Sequence, residues 1–138
     1  MIVDTSALLA ILRDEREAPA CALAIEQAAV RRMSAANFLE AAIIIDLSRS
    51  PIASRQFDDL LNAAGMTIEP VTEEQAHLGR AANRDFGKGS GHPAQLNFGD
   101  CFAYALARAT GEPLLFKGQD FTHPDVTPAM TTTSEHSQ

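Results

Sequence analysis

Short apolar segments alternate with helix-like segments along almost the whole chain. Residues 2–4, 66–71 and 114–116 have the composition of short buried strands, and residues 31–34 form either a brief link or a further strand. Strands that alternate with helices predict a parallel sheet with helices packed on both of its faces. This alternation makes the chain an α/β protein and restricts where a ligand can bind.

Residues that begin and end helices divide the rest of the chain. Ser34 and Thr72 are suited to begin helices because a side-chain hydroxyl can accept a hydrogen bond from a free backbone N–H. Gly65 and Gly111 are suited to end them. The predicted helices span residues 6–12, 18–30, 34 to about 48, 51–65, 72 to about 86, and 98–110. Residues 87–97, with three glycines and one proline, are predicted to form a loop.

Length and composition are those of one compact domain. The chain has 138 residues and 46% of them are apolar, which suits a single hydrophobic core. We place the domain at residues 1–126 and expect residues 127–138 to form a polar, flexible tail. No apolar run reaches the roughly 20 residues of a membrane span, and no signal-peptide pattern is present.

Cysteines, histidines and net charge exclude several classes of protein. Cys21 and Cys101 fit neither a zinc nor a redox motif, and the four histidines lack ligand spacing. We therefore expect no zinc, and two reduced thiols in a cytoplasmic protein. The net charge of −7 argues against a nucleic-acid partner, unless some of the acids hold a cation that cancels their charge locally.

Four acidic residues occupy apolar surroundings. Asp4 follows the first strand, Glu40 lies within a helix, Asp100 lies in the first turn of another helix, and Asp120 follows the last strand. Ligands of a parallel sheet bind at the carboxyl ends of its strands. Asp4 lies at such an end, where a buried charge requires a partner. We therefore treat the four acids as candidate site residues.

Each acid also has a simpler explanation. Asp100 could complement the helix dipole, Glu40 could lie on a solvated helix face, and Asp120 could belong to an ordinary turn. Asp4 is the hardest to explain in this way. The hypothesis of a shared site depends on the four acids together.

The four acids lie in motifs that resemble those of a known family. DTSALLA, SAANFLEAA, NFGDCFAYALA and LLFKGQDF resemble the four acidic motifs of the PIN-domain nucleases, in particular the VapC toxins of bacterial toxin–antitoxin pairs. The resemblance covers residues 1–126 and implies a three-layer α/β/α sandwich with a central, mainly parallel sheet. It also implies divalent-metal-dependent RNA cleavage, a cognate VapB-like antitoxin that blocks the site, and a homodimer. Carried over residue by residue, the acidic ligands are Asp4, Glu40, Asp100 and Asp120.

The chemistry of the acids agrees with that resemblance. Two carboxylates about 4 Å apart repel each other by roughly 4 kcal/mol at an effective dielectric constant of 20, so a cluster must be protonated or hold a cation. An all-oxygen site selects Mg²⁺ or Mn²⁺. Because Mg²⁺ takes few carboxylates, we assign Asp4 and Asp100 as direct ligands, and Glu40 and Asp120 as ligands through water. Glu40 or Asp120 is then the candidate general base for attack of water on phosphorus.

Supporting and RNA-contacting residues are predicted around the acids. Thr5 or Ser6 could orient a carboxylate or contact a phosphate, or could simply cap the first helix. Asn37 lies one turn before Glu40 and could position it. An antitoxin would place an Arg or Lys side chain in the acidic cleft. Four cations could contact RNA or be ordinary surface charges: Lys117, Lys88, Arg13 and Arg16.

Three other functional classes share some of these sequence features. A phosphoacceptor receiver domain also uses an Asp at a strand end and a later Lys, as Asp4 and Lys117 are placed, but it needs a further Asp that TIEPV lacks. A haloacid-dehalogenase-type phosphatase needs D-x-D, whereas Thr5 and Ser6 follow Asp4. A catalytically silent PIN-like module that binds RNA or protein is the third alternative, and the presence of all four acids disfavours it.

Overall fold

A parallel sheet lies at the centre of the computed structural model, which describes residues 1–118 and 126–129. Within these residues four strands run parallel in the order β3-β2-β1-β4, and six helices surround them. The elements are β1 (Ile2–Val3), α1 (Thr5–Leu12), α2 (Ala18–Gln27), β2 (Arg32–Ser34), α3 (Ala35–Asp46), α4 (Pro51–Ala64), β3 (Thr67–Glu69), α5 (Glu73–Phe86), α6 (Phe98–Thr110) and β4 (Leu114–Leu115).

Strands β1 and β4 bury both of their faces. Ile2 and Leu114 pack among side chains of α5 and α6, whereas Val3 and Leu115 pack among side chains of α1, α2, α3 and α4. All four side chains are fully buried, and each burial stabilises the fold by about 1.5–3 kcal/mol. Successive residues of a strand point to opposite faces, so this pattern confirms the predicted α/β/α sandwich.

One strand differs from its prediction. Residues 66–71 were expected to form a buried strand, but β3 is shorter and lies at the edge of the sheet, where it pairs only with β2. Ile68 is 39% exposed. The apolar run indicated a strand correctly, but it could not tell a strand with one neighbour from a strand with two. Residues 31–34, whose sequence permits either a link or a strand, contain β2.

The predicted helix caps are largely confirmed. Ser34 Oγ accepts from the Ala36 amide at 3.3 Å, and Thr72 Oγ1 accepts from the Gln75 amide at 3.1 Å. Gly65 and Gly111 end α4 and α6 with φ angles of 59° and 72°. Such angles strain residues that carry a Cβ, which explains why glycine ends both helices.

Helix α2 ends at Gln27, earlier than the predicted end at residue 30. Arg31 explains the early end, because its guanidinium donates to the carbonyl oxygens of Ile25 at 2.6 Å and of Glu26 at 3.0 Å. The same group donates to the carbonyl oxygen of Ala64 at 3.0 Å. Arg31 therefore satisfies terminal carbonyls of both α2 and α4.

The expected flexible tail begins with residues that are attached to the sheet. The Leu114 amide donates to the carbonyl oxygen of Thr127 at 2.8 Å, and the Ala129 amide donates to the carbonyl oxygen of Leu114 at 2.9 Å. Residues 126–129 thus run beside β4, which the polar sequence did not predict. The remainder of the expected tail, from residue 130, lies outside the described residues.

A network of charges joins residues at or just before the starts of three strands to Glu69, the last residue of β3. Arg32 donates to Glu112 at 2.8 Å and to Glu69 at 2.7 Å, and the amino group of Met1 donates to Glu112 at 2.7 Å. Partial burial raises the pKa of Glu112, but the hydrogen bonds from Met1 and Arg32 outweigh it, so the pKa lies below its ordinary value.

Among the described residues, no helix has the length and apolar character needed to cross a membrane.

Candidate active site

The candidate site lies where the neighbouring strands β1 and β4 end. Asp4 follows β1, and its amide donates to the carbonyl oxygen of Leu115 in β4 at 2.9 Å. Just beyond β4, the Lys117 amide donates to Ser6 Oγ at 2.9 Å. These two hydrogen bonds join the start of α1 to the segment that leaves β4. The predicted residues Asp4, Ser6 and Lys117 therefore share this edge of the sheet.

Asp4 and Asp100 each begin a helix. Asp4 is 3% exposed and its Oδ2 accepts from the Ser6 amide at 3.0 Å. Asp100 is 7% exposed and forms a capping box with Asn97, in which its Oδ2 accepts from the Asn97 amide at 3.0 Å. Helix N-termini carry partial positive charge. Both acids therefore make helix-capping hydrogen bonds, and these bonds fix where the two carboxylates lie.

Glu40 connects the segments that carry the other two acids. Thr5 Oγ1 donates to Glu40 Oε1 at 2.6 Å, and Asn37 Nδ2 donates to the same oxygen at 3.3 Å. On its other side the Glu40 carboxylate lies against Gly99, where an added Cβ would be 2.8 Å from Oε1 and 2.9 Å from Cδ. Glu40 thus contacts the neighbours of Asp4 and Asp100, and the solvated-face alternative does not describe it. Thr5 does not cap α1, because its hydroxyl points to α3.

Asn37 holds α3 against the start of α6 and carries an unsatisfied atom. Its side chain is 1% exposed, and Nδ2 donates to the carbonyl oxygen of Gly99 at 3.0 Å. Within the described part of the chain, Asn37 Oδ1 is buried and has no hydrogen-bond partner. Buried acceptors are usually satisfied by protein or by ordered water. This oxygen therefore suits a water molecule held next to Glu40.

The donor atoms fit a hard divalent cation that keeps much of its water. Asp4, Glu40 and Asp100 offer only oxygen, the ligand that Mg²⁺ and Mn²⁺ prefer. In residues 1–118 and 126–129, no three acid, histidine or cysteine side chains are close enough to enclose one ion. Mg²⁺ typically binds through one or two carboxylates plus water, so a magnesium site does not require three such side chains around the ion. The fourth predicted acid, Asp120, lies outside the described residues.

The predicted RNA-contacting cations fall into two groups. Lys117 donates to Glu15 at 2.9 Å, and this hydrogen bond raises the pKa of Lys117. Arg13 lies near enough to oppose that shift. Arg16 is exposed between α1 and α2, and Lys88 is exposed in the loop between α5 and α6. Lys117 and Arg13 therefore lie near one another, while Lys88 belongs to a different surface.

Three residues of the site were not predicted from the sequence. Gly99 leaves room for the Glu40 carboxylate, Asn97 caps α6, and Glu15 pairs with Lys117. The spacing Asn97-x-x-Asp100 is a recognisable cap signal and would have identified Asn97. The roles of Gly99 and Glu15 depend on segments distant in sequence, which no local pattern reveals.

Cys21 and Cys101 are free thiols, and the structure buries both of them. Burial raises the pKa of Cys101, and the charge of Asp100 raises it further. Burial likewise raises the pKa of Cys21, followed by the charges of Glu17 and Glu15. A raised pKa lowers the thiolate fraction and with it the reactivity. Cys101 is therefore a packing residue beside the site.

Comparison with known families decides the classification. The family model described as the PIN domain matches residues 1–126. The chain belongs to the PIN-domain family. The PIN-domain match spans all three described acids and agrees with the parallel sheet on whose edge they lie.

Curated PIN-domain relatives are similar over nearly the whole chain. VapC ribonuclease Mb0625 of Mycobacterium bovis and ribonuclease VapC28 of Mycobacterium tuberculosis are each 58% identical over 130 residues, covering 94% of this chain and 98% of the relative. Ribonuclease VapC42 of Mycobacterium tuberculosis is 50% identical over 131 residues, covering 95% of this chain and 100% of the relative. The resemblance to VapC-type PIN-domain ribonucleases is therefore confirmed.

Two solved structures share the PIN fold. A toxin–antitoxin complex from Klebsiella pneumoniae has a TM-score of 0.67 and 17% identity, covering 94% of this chain and 97% of that one. VapC20 of Mycobacterium tuberculosis, described as a sarcin–ricin loop cleaving toxin, has a TM-score of 0.67 and 18% identity, covering 92% of this chain and 98% of that one. At this identity the likeness supports the fold alone.

Proposed function

We propose that this chain is a divalent-metal-dependent ribonuclease and the toxin of a VapC-type toxin–antitoxin pair, acting in the cytoplasm. The observation that carries the proposal is the position of Glu40 between Thr5 and Gly99, which gathers Asp4, Glu40 and Asp100 at one edge of the sheet. Relatives that are 50–58% identical are named VapC ribonucleases, which supports the same activity here.

The reaction is hydrolysis of an RNA phosphodiester by water. Mg²⁺ or Mn²⁺, when bound, supplies a Lewis acid for the phosphoryl oxygens and makes water more acidic. Asp4 and Asp100 are the proposed direct ligands, and Glu40 and Asp120 hold water. Glu40 Oε1 is engaged by Thr5 and Asn37, so Oε2 is the atom that accepts the proton of the attacking water. Thr5 Oγ1 and Asn37 Nδ2 orient the Glu40 carboxylate by holding Oε1.

The test compares variants that keep shape but lose charge. Asp4→Asn and Asp100→Asn retain an acceptor for their helix caps, so both should fold. We expect each to lose at least about 100-fold in cleavage of RNA. Asp59→Asn, an exposed acid on α4, is the matched control and should cleave normally. Mn²⁺ should raise the melting temperature of the wild type and the control but not of the site variants.

The outcomes separate the proposal from the silent-module alternative. Cleavage at the wild-type rate by Asp4→Asn or Asp100→Asn would contradict the assignment of the acids. RNA binding by the wild type without cleavage, in the presence of Mg²⁺ or Mn²⁺, would instead indicate a catalytically silent PIN-like module.

An antitoxin is the proposed protein partner. An Arg or Lys of this partner would replace the cation among the carboxylates, while one of its helices covers an apolar groove of about 210 Å³ between α1, α2 and α4. Ile11, Ile25 and Leu60 line that groove. If the co-expressed partner binds without reducing cleavage, the proposed insertion is wrong.

A homodimer is proposed from the surface of α3. Leu39, Ile43 and Leu47 follow one another at intervals of one helical turn and are 57%, 48% and 63% exposed. Apolar stripes of this kind commonly mark protein interfaces. Light scattering should give the mass of two chains for the wild type and of one chain for Ile43→Glu. A monomeric wild type at micromolar concentration would contradict the proposal.

A further inference from the structure

A groove between α5 and α6 lies beside the candidate active site. It has a volume of about 540 Å³, and its lining includes Phe98, Phe102, Arg80 and Lys88. Phe98 is 79% exposed. A large aromatic side chain so fully exposed gains little from the fold, which indicates that its surface serves a contact outside the domain.

The geometry of the aromatic pair leaves the face of one ring available. The ring centroids of Phe98 and Phe102 are 4.8 Å apart and the ring planes are 86° apart. This edge-to-face contact holds Phe98 in place. Phe102, only half-buried, forms part of the groove wall. The groove therefore offers a positioned aromatic surface at its rim.

The charge of the groove is opposite to that of the chain. Within the described residues, the charged side chains that line it are Arg80 and Lys88, both cationic, although the whole chain has a net charge of −7. Asn83 and Gln75 add amide groups to the lining. Cations, amides and an exposed aromatic ring together suit a ligand that has phosphates and flat bases.

The groove borders the acids through Asn97. Asn97 lines the groove, and its amide donates to Asp100 Oδ2 at 3.0 Å. Gly99, two residues further along, lies against the Glu40 carboxylate. A strand bound in the groove would therefore pass close to Asp100.

We propose that this groove binds the RNA strand next to the cleaved bond, with one unpaired base stacked on Phe98 and the adjoining phosphates contacting Arg80 and Lys88. The inference rests on the proposed ribonuclease function, and it adds to that function a preference for single-stranded substrate. The acids then act on the phosphodiester that Phe98 positions.

The experiment measures RNA binding without cleavage. Full-length protein is titrated, in EDTA, into a fluorescein-labelled single-stranded RNA of roughly 12 nucleotides and into an abasic strand of equal length. Base stacking predicts that Phe98→Ala weakens RNA binding by about tenfold or more and has no effect on the abasic strand. Phe98→Trp should retain binding. Ile52→Ala, which changes an exposed side chain on α4, is the matched control.

Salt dependence tests the two cations. For single strands, the logarithm of the binding constant falls against the logarithm of salt concentration with a slope of about −0.7 per phosphate contacted. The double variant Arg80→Gln, Lys88→Gln should therefore reduce the steepness of this slope by about 1.4. An unchanged slope would show that the two side chains do not contact the backbone and would overturn that part of the inference.

The remaining outcomes are distinguishable from failure of the proposed function. If Phe98→Ala binds RNA with the affinity of the wild type, the proposal that this groove binds RNA is wrong, even if the wild type cleaves RNA. A lower oligomeric mass for Phe98→Ala with unchanged RNA affinity would show that the groove binds a second copy of the chain. That result would also contradict the proposal that the groove binds RNA. If RNA binding depends on Phe98 but the wild type does not cleave RNA, the RNA-binding groove is supported and the proposed nuclease function is contradicted.

Discussion

Gly99→Ala tests whether the position of Glu40 determines activity. The added Cβ would lie 2.8 Å from Glu40 Oε1 and 2.9 Å from Cδ, with Oε2 closer still. Ordinary contacts between such atoms begin at about 3.4 Å, so the carboxylate must retreat by roughly 0.6–1 Å. Gly99 lies within α6, and its φ angle is not among the positive ones, so the backbone accepts alanine without strain.

The expected result is loss of activity without loss of the fold. A displacement of about 1 Å in a catalytic group costs on the order of 100-fold in rate. Stability should change by less than about 1 kcal/mol, because Gly→Ala at a compatible position stabilises by about 0.4–1 kcal/mol and the group that must move is the end of a flexible side chain. The assay is RNA cleavage under single-turnover conditions, paired with thermal melting.

A double-mutant cycle assigns the effect to Glu40. Glu40→Asp shortens the side chain by one methylene, so that Gly99→Ala should reduce activity less in that background than in the wild type. An equal loss in both backgrounds would show that alanine acts elsewhere. Full activity of Gly99→Ala by itself would refute the idea that the observed position of the carboxylate is the active one.

Two further predictions concern charges around the sheet. Because the folded-state pKa of Glu112 lies below its ordinary value of 4.5, its contribution to stability is present above that value and is lost as the pH falls through the lower, folded-state pKa. In Glu112→Gln, the free energy of unfolding measured in urea should therefore fall less steeply as the pH is lowered. The same pH dependence in the variant and the wild type would contradict a stabilising ion pair between Glu112 and Arg32. Glu15→Gln should release Lys117 and strengthen RNA binding at low salt, whereas unchanged or weaker binding would place Lys117 away from RNA.

Local sequence patterns predicted much of the site because its main residues also have local roles. Asp4 lies between a strand and a helix, and Ser34 begins the helix that carries Glu40. Such boundaries are visible in the sequence as changes of apolar period and as capping residues. The carboxyl ends of parallel strands share one edge, so the convergence of acids followed from the fold class. The PIN-domain resemblance then identified the acids by motif.

Features that depend on distant contacts were not predictable in this way. The exposed edge position of β3 depends on strand order, which no local pattern specifies. The early end of α2 depends on Arg31, whose guanidinium reaches the last turns of two helices. The pairing of Lys117 with Glu15 joins segments about a hundred residues apart. Each of these contacts becomes apparent only when the chain is folded.

The order of the strands has a consequence for how this protein is made. Strand β1 lies between β2 and β4, although more than a hundred residues separate Ile2 from its pairing partner Leu114. Pairing across so many residues is slow to form and cannot begin before the later strand exists. A growing chain therefore cannot complete the sheet edge beside Asp4 until β4 has been synthesised. A chain that ends before β4 lacks the strand that completes this edge, and we expect it to be inactive as a nuclease.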